Sequence, residues 1–371
     1  MTPRPQPRPW SPEALAVSFP WHRVFHPLCG ADPLTLLGLL RRGPPGPAGL
    51  LPYAVALALS ALRLPFTALE AALDALDRTD PAPPVFIVGH PRSGTTHLHN
   101  LMAATGAFAT AAPVPATFPW EPRSVARAFR LVVDPFLPPT RLIDGVAMAP
   151  DAPTEDEVGL ANLGGGSYFH ALYWPRRFRE DYVAGLLGPA RDREVRRYVR
   201  ALARGQARPL LLKNPAYTAR VAGLPRLFPG ARVVHIARDP VAVFASSRRA
   251  VRRALAALAL QPWRDDEVDE AILAAYPPMM RSLREGAATL PPGRFAEVRF
   301  ESLAADPAAT LRRLWADLSL PQGSGAGVEA HLATVRGFRP EGARLPPEAR
   351  ARVERAWAAE IAAYPSAAPA G

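Results

Sequence analysis

The sequence is nearly devoid of cysteine. Cys29 is the single cysteine among 371 residues, which excludes an intrachain disulfide and any zinc ribbon or iron–sulfur cluster held by cysteines. Apolar residues make up 49% of the chain and charged residues 21%, a mixture too apolar for a disordered protein. We therefore expect a globular protein, long enough for one large domain with extensions, in a reducing compartment such as the cytoplasm.

Lysine is equally scarce. Of 44 lysine and arginine residues, only Lys213 is a lysine. An ammonium is a compact point charge and a guanidinium is a wide planar fork, so a narrow anionic pocket can accept one and reject the other. Lys213 is therefore a candidate for such a pocket. The formal net charge of +11 indicates an anionic partner, but the arginines are scattered, so a phosphorylated ligand competes with nucleic acid.

Long uninterrupted apolar runs are also missing. Residues 1–10 are proline-rich and lack the basic and apolar segments of a secretory signal, so none is expected. Residues 48–62 are uncharged, but this run is shorter than the roughly 18 residues of a membrane span and contains Pro52. The pattern over residues 53–76 predicts a helix packed on the core and no transmembrane helix, with a helix on a membrane surface as the alternative.

Strands alternate with helices over the rest of the chain. Apolar, often β-branched runs predict strands at residues 85–88, 209–213, 232–236 and 294–299. Helical patterns follow them at residues 95–104, 217–227, 241–260 and 307–318. This order predicts an α/β fold with a parallel sheet flanked by helices on both faces and an N-terminal helical extension. Residues 111–139 and 164–166 are predicted to be long loops.

A phosphate-binding loop follows the first predicted strand. Residues 89–96 read Gly-His-Pro-Arg-Ser-Gly-Thr-Thr, the spacing of a P-loop, so backbone amides can converge on an anionic oxygen at a helix N-terminus. In nucleotide-hydrolysing P-loops the residue after the second glycine is a lysine that reaches the β- and γ-phosphates. Here that residue is Thr95, and Arg92 supplies the cation. The loop therefore suits a 5′-phosphate joined to another leaving group better than a triphosphate.

At these residues the chain resembles the sulfotransferases that use 3′-phosphoadenosine 5′-phosphosulfate (PAPS). In that family the loop Pro-Arg-Ser-Gly-Thr-Thr holds the 5′-phosphosulfate, and a strand ending in Arg-Asp-Pro, with a serine eight residues after the arginine, binds the 3′-phosphate. The resemblance implies that PAPS is bound by Arg92, Ser93, Gly94, Thr95, Thr96, Arg238 and Ser246. It covers roughly residues 85–320. Together with the proline-rich start and the helical pattern before Pro81, it predicts an arm and helical extension over residues 1–80, a sulfotransferase P-loop domain over 81–330, and a C-terminal loop and helix over 331–371.

The resemblance also implies the reaction. A sulfuryl group passes from PAPS to an acceptor hydroxyl by in-line displacement, with a general base for the acceptor and side chains, not a metal ion, as the cations. Residues 210–215 resemble the family segment in which a lysine at a strand end points to the sulfuryl group. Arg92 and Lys213 are therefore the expected cations.

The general base has several candidates. Glu121 resembles the acidic residue that follows the first helix in tyrosylprotein-type sulfotransferases and acts as base there. Glu155 and Glu157 lie in an acidic run that resembles another motif of the subgroup, although Thr154 with Glu157 also fits a helix capping box. His99 lies on the helix behind the phosphate loop. One of these four suffices.

Two other function classes stay open. A P-loop kinase or NTPase is disfavoured by Thr95, and because the strand at 232–236 is followed by Arg238 and Asp239 and no convincing magnesium ligand is present. A non-catalytic module that binds nucleic acid or an anionic membrane would use the arginines, but no nucleic-acid-binding motif is present.

The expected partners follow from the resemblance and the composition. They are a small-molecule, lipid or sugar acceptor, no specific nucleic acid, and a peripheral membrane contact through the N-terminal helices of a cytoplasmic protein. The loops over residues 107–208 are rich in Pro, Ala, Trp and Phe, which favours an apolar acceptor. Arg336, Arg339 and Arg344 are expected either to close over the 3′-phosphate or to form a solvated loop.

Overall fold

The computed structural model describes residues 24–76, 80–134, 149–188, 192–335 and 345–364. Its sheet consists of β1 (Val85–Val88), β2 (Leu211–Lys213), β3 (Arg232–Ala237) and β4 (Phe295–Arg299). The strands are parallel, in the order β2-β1-β3-β4. Because β1 lies between β2 and β3, the segments that follow these three strands meet at one edge of the sheet.

Alternate residues of the strands pack against opposite layers. Phe86 and Leu212 belong to a buried apolar cluster on one face of the sheet, and Ile87 and Val234 belong to a second cluster on the other face. This division follows from the two-residue period of a strand. The predicted α/β fold, with helices on both faces, is confirmed.

Seventeen α-helices lie in the described ranges and are numbered here in chain order. They are α1 (Pro33–Leu39), α2 (Leu50–Leu76), α3 (Thr95–Ala104), α4 (Pro113–Thr117), α5 (Val125–Val133), α6 (Glu157–Asn162), α7 (Tyr168–Tyr173), α8 (Phe178–Leu187), α9 (Asp192–Ala203), α10 (Leu224–Leu227), α11 (Pro240–Leu258), α12 (Asp266–Ala288), α13 (Phe300–Ala305), α14 (Pro307–Leu318), α15 (Gly325–Thr334), α16 (Pro347–Ala356) and α17 (Ala358–Ala363). Short 3₁₀ segments occur at Pro27–Gly30, Leu40–Arg42, Pro47–Gly49, Pro175–Arg177 and Pro215–Gly223.

Two local predictions were wrong. Residues 111–139, predicted as a long loop, contain α4 and α5, because Pro113 stands in the first turn of a helix, where its missing N–H costs no hydrogen bond. Residues 217–227, predicted as one helix, form a 3₁₀ segment followed by α10, and Pro225 in the first turn of α10 has no N–H to continue the preceding turn. The division into three regions stays a prediction.

Helix α2 forms the main part of the N-terminal extension. It packs on the domain as predicted, with Tyr53, Arg63 and Glu70 buried along one side. The helix extends past the uncharged run of residues 48–62, because the charged residues that follow this run also lie within the helix and face the protein. By length and composition, Pro47–Leu76 is the one helix in the described ranges that could cross a membrane, a criterion that core helices of soluble proteins also meet.

Candidate active site

The phosphate loop connects β1 to α3 through several residues in left-handed backbone conformations. Gly89, Arg92 and Gly94 all have positive φ angles, of 151°, 76° and 107°. A side chain at Gly94 would lie 2.4 Å from the Phe300 ring, so only glycine fits. Arg92 carries a side chain despite its left-handed backbone, a strained arrangement that is common at binding sites. The amides of the first turn of α3 point out of the helix N-terminus at the end of this loop.

The phosphate loop is held in place by hydrogen bonds to α11 and to Arg238, which lies between β3 and α11. Arg92 Nε donates to Ser246 Oγ at 3.1 Å, and Arg238 Nη1 donates to the carbonyl of Arg92 at 3.2 Å. Ser247 Oγ donates to the carbonyl of Pro91 at 3.0 Å. The two sequence motifs, 146 residues apart at Arg92 and Arg238, therefore form one structural unit.

The unit is suited to an anion. Arg238 lies over the Phe300 ring, 4.3 Å from its centroid, and burial together with the charge of Arg92 lowers the pKa of its guanidinium. Two arginines that face each other in a partly buried place are stabilised by a negative ligand between them. The Oγ of buried Ser93 has no hydrogen-bond partner within the described residues. These features match a phosphate or sulfate group.

A cleft of about 2590 Å³ opens beside this unit. Its wall includes Arg92, Arg238 and Ser246, and also Arg249 and Arg253, which were not predicted. Ser246, Arg249 and Arg253 follow the i, i+3, i+7 spacing of one helix face, a periodicity that could have identified them from the sequence. Residues 108–112, 151–153 and 200–206 also line the cleft.

Lys213 is the last residue of β2 and pairs with Ile87 of β1. Ile87 lies two residues before the start of the phosphate loop. Its side chain is 2% exposed, and Nζ donates to Glu155 Oε2 at 2.6 Å. The other oxygen of Glu155 accepts from the Tyr168 hydroxyl at 2.5 Å. Glu155 is 18% exposed, and a single residue separates it from the cleft-lining residues 151–153. The structure thus brings the predicted cation and one predicted base together.

The acidic run is buried on the inner side of this pair. Asp156 is fully buried, and its amide donates to the carbonyl of Lys213 at 3.1 Å. Glu157 accepts from Asn214 Nδ2 at 2.6 Å. The alternative capping box does not form, because Asp156 is the first residue before α6 and the Glu157 side chain contacts Asn214 instead.

Glu157 gives the protein a specific pH dependence. Burial raises the pKa of Glu157 from 4.5 to about 7, so the folded state holds this proton more tightly than the unfolded state does. Stability from this group is therefore full below about pH 4.5 and falls as pH rises towards 7, by up to about 3 kcal/mol. We expect Glu157→Gln to lose less stability than the wild type between these pH values.

Denaturant unfolding at several pH values measures this difference. The two stability curves should diverge as pH rises from about 4.5 to about 7 and run parallel above it. Parallel curves throughout would show that Glu157 has an ordinary pKa in the folded protein.

The remaining candidate bases lie in different surroundings. Glu121 is buried against α2, where Arg63 and Thr67 donate to its two oxygens, and burial raises its pKa. His99 is buried, with Nε2 3.3 Å from the carbonyl of Leu211 in β2, whereas His97 lines the cleft. Their roles, like those of the other candidates, stay predictions. Arg336, Arg339 and Arg344 lie outside the described residues.

Comparisons with known proteins agree with this geometry. A family profile described as the sulfotransferase family matches residues 83–323, which include both motifs and β1–β4. The chain belongs to the sulfotransferase family. It is 30% identical over 302 residues to proteins of Mycobacterium bovis and Mycobacterium tuberculosis named omega-hydroxy-beta-dihydromenaquinone-9 sulfotransferase Stf3, covering 76% of this chain and 75% of theirs. The sulfotransferase described here is therefore an enzyme for sulfuryl transfer.

Solved structures support the fold of the sulfotransferase. The structure of STF1 from Mycobacterium tuberculosis superposes with a TM-score of 0.62 at 19% identity, covering 88% of this chain and 90% of that one. STF9 from Mycobacterium avium gives a TM-score of 0.67 at 16% identity, with 89% of each chain covered. At these identities the likeness shows the fold, and the roles of individual residues rest on the geometry of this chain.

Proposed function

We propose that this sulfotransferase transfers the sulfuryl group of PAPS to a hydroxyl of an apolar acceptor. The observation that carries the proposal is that the phosphate loop is hydrogen-bonded to Ser246 of α11 and to Arg238, just before α11, through Arg92. A donor with phosphates at both its 5′ and 3′ positions would bridge these two elements. The 5′-phosphosulfate would bind residues 93–96, and Arg238 with Ser246 would hold the 3′-phosphate.

Positive charge is needed where negative charge develops. In sulfuryl transfer the bridging oxygen becomes the oxygen of a leaving phosphate, by analogy with phosphoryl transfer. Arg92 and the first-turn amides of α3 would stabilise that oxygen, and Lys213 would neutralise the transferring group. Because Lys213 Nζ is bound to Glu155 at 2.6 Å, it would change partner when the donor occupies the cleft. No metal ion is needed for this arrangement.

Glu155 is the base that we favour among the four candidates. It is paired with the catalytic cation, follows cleft-lining residues, and is 18% exposed, whereas Glu157 is 1% exposed. When Lys213 turns to the sulfuryl group, the released carboxylate can accept the proton of the acceptor hydroxyl. Tyr168, which donates to the same carboxylate, would keep it oriented. Glu121, bound by Arg63 and Thr67, would act in folding instead.

An apolar alcohol is the acceptor class that fits best. Alanine and proline residues at positions 109, 111, 112 and 115 line one section of the cleft and make it apolar. The mycobacterial relatives are named for a hydroxylated menaquinone as acceptor. We extend that class, a lipid or other apolar molecule with a free hydroxyl, to this chain. The enzyme would act in the cytoplasm, at the membrane that holds such lipids.

The donor assignment is tested by calorimetric titration with 3′-phosphoadenosine 5′-phosphate, the desulfated product, beside AMP and ATP with magnesium. The wild type should prefer the 3′-phosphorylated nucleotide over AMP by roughly tenfold to 100-fold, the value of a charged hydrogen bond. Arg238→Ala should remove this preference. Arg226→Ala, which removes an exposed arginine from α10, is the matched control and should retain it. A preference for ATP, or equal binding of all three nucleotides, would contradict the proposal.

A further inference from the structure

Exposed apolar side chains are concentrated in one segment of the molecule. Of the large hydrophobic residues that are exposed in the described ranges, all except Leu131 lie within residues 25–76. A contiguous exposed apolar patch on a soluble domain marks a surface that is covered in use.

Helix α2 has its polarity reversed relative to an ordinary surface helix. Its three charged residues, Arg63, Glu70 and Asp74, are buried or partly buried against the protein. Every exposed residue of the helix is Ala, Leu, Pro or Phe. We call this surface the outer face; its large residues are Leu50, Leu51, Leu62, Leu64, Phe66, Leu69, Leu73 and Leu76. A helix that faced water would carry its charged residues on that side.

The inner side of α2 is fixed to the domain over its whole length. Tyr53, near its start, donates to the carbonyl of Leu36 at 3.1 Å. Arg63, at its middle, donates to the carbonyl of Ala31 at 2.6 Å, and Glu70, near its end, accepts from the amide of Ser124 at 2.8 Å. A helix of 27 residues is about 40 Å long. Because one side of this length lies against the folded domain, the helix is oriented to lie on a membrane and not to cross it.

A second protein is a poorer match for the outer face than lipid. Protein interfaces have a polar rim, and non-polar atoms supply only about 65% of the buried area even in their most apolar cores. Leu62, Phe66, Leu69, Leu73 and Leu76 have the spacing of a coiled-coil seam, but it lasts only two heptads. Beside that seam, Pro65 and Ala72 are uncharged and Arg63 and Glu70 are buried against the domain, whereas coiled coils place exposed charged residues there.

Exposed arginines lie on the segments next to the outer face. Arg41 is exposed in the 3₁₀ segment Leu40–Arg42, which precedes α2. Arg127 and Leu131 are both exposed and four residues apart, so they share one side of α5, the helix whose N-terminal turn binds Glu70. Basic residues beside an apolar helix face are typical of interfacial helices on anionic lipid. The net charge of +11 acts in the same direction.

We propose that the outer face of α2 docks the enzyme on an anionic phospholipid bilayer, with the helix axis parallel to the membrane plane. The face leads to the substrate cleft: Asp80, Pro81 and Ala82 follow α2 and line the cleft, as do Pro122 and Arg123 beside Glu70. Docking would bring the cleft to a membrane-dissolved acceptor, a consequence that rests on the proposed function. Membrane binding itself does not depend on that function.

The test is co-sedimentation of the full-length protein with vesicles of phosphatidylcholine, with and without phosphatidylglycerol. The wild type should bind the anionic vesicles more tightly than the neutral ones. The double variant Leu62→Glu, Leu69→Glu changes two outer-face residues that are 72% and 54% exposed, so its fold should be intact. We expect it to bind at least about tenfold less, because each change replaces an apolar contact with lipid by a charge.

The matched control is Ala356→Glu, Ala359→Glu, which adds the same two charges at exposed positions in the C-terminal helices. It should bind vesicles nearly as the wild type does. Equal binding by wild type and outer-face variant, or no binding by the wild type, would overturn the proposal. So would a dimer in light scattering that only the outer-face variant dissociates, or resistance of the vesicle-bound wild type to alkaline carbonate extraction. Titration with 3′-phosphoadenosine 5′-phosphate tests the donor site separately, so its failure would leave the membrane result interpretable.

Discussion

Lys213→Arg is expected to lower kcat for sulfuryl transfer by roughly 100-fold to 1000-fold, the usual cost of losing one preorganised electrostatic contact. The ammonium lies in a nearly closed place, 2% exposed, at the end of β2. A guanidinium is wider, so it cannot take the same position toward the transferring group. Affinity for 3′-phosphoadenosine 5′-phosphate should change little, because this nucleotide lacks the sulfuryl group that Lys213 would contact.

Two measurements separate this effect from simple loss of folding. Steady-state kinetics should show the loss in kcat, and thermal unfolding should show a folded protein that still binds the desulfated nucleotide. Lys213→Met removes the charge with less change in width and should lose at least as much activity. Near-normal turnover of Lys213→Arg would show that the position needs only positive charge.

Glu155→Gln should also lower kcat, by roughly 100-fold to 10,000-fold, the range for loss of a general base. Glutamine has nearly the same shape, and both contacts can persist if its oxygen accepts from Lys213 and its amide donates to the Tyr168 hydroxyl oxygen. The turnover of substrate with an unactivated hydroxyl is the quantity to measure, beside nucleotide binding as a test of the donor site.

Glu121→Gln is the comparison that discriminates between the candidate bases. Glu121 is 1% exposed and ion-paired with Arg63, so its neutralisation leaves a buried guanidinium without a counter-charge. We expect a lower unfolding temperature and little change in the kcat of the folded fraction. The reverse pattern, with activity lost in Glu121→Gln and kept in Glu155→Gln, would move the base to Glu121.

Much of the fold follows from local patterns in the sequence. The strand at residues 85–88 and the helix at residues 95–104 have the predicted bounds, because a short β-branched run, a glycine turn and an amphipathic segment each give a clear local signal. The order of the strands required more than local information. The sequence motifs implied a parallel sheet, but the position of β1 between β2 and β3 depends on pairings between residues more than 120 apart.

The site was predictable to the extent that its residues lie in motifs. The resemblance of their motifs to the family implies a shared site for Arg92, Arg238 and Ser246, and the structure brings them within hydrogen-bond distance. Tyr168 was not identified, because its contact with Glu155 depends on how α7 packs and not on any spacing within the motif. The reversed polarity of α2 was also missed: the sequence pattern shows that one side differs from the other, but not which side packs on the domain.

The order of the strands has a consequence for how this enzyme can change specificity. The segments proposed to bind the donor follow β1 and β3, and Lys213 ends β2, so the sheet sets the placement of all three. Much of the remaining cleft lining comes from the single stretch between α3 and β2, which includes residues 108–112 and 200–206. That stretch can be exchanged, with Glu155 and Tyr168 kept, without moving a strand. Grafting it between relatives is therefore a direct route to a new acceptor with the same donor chemistry.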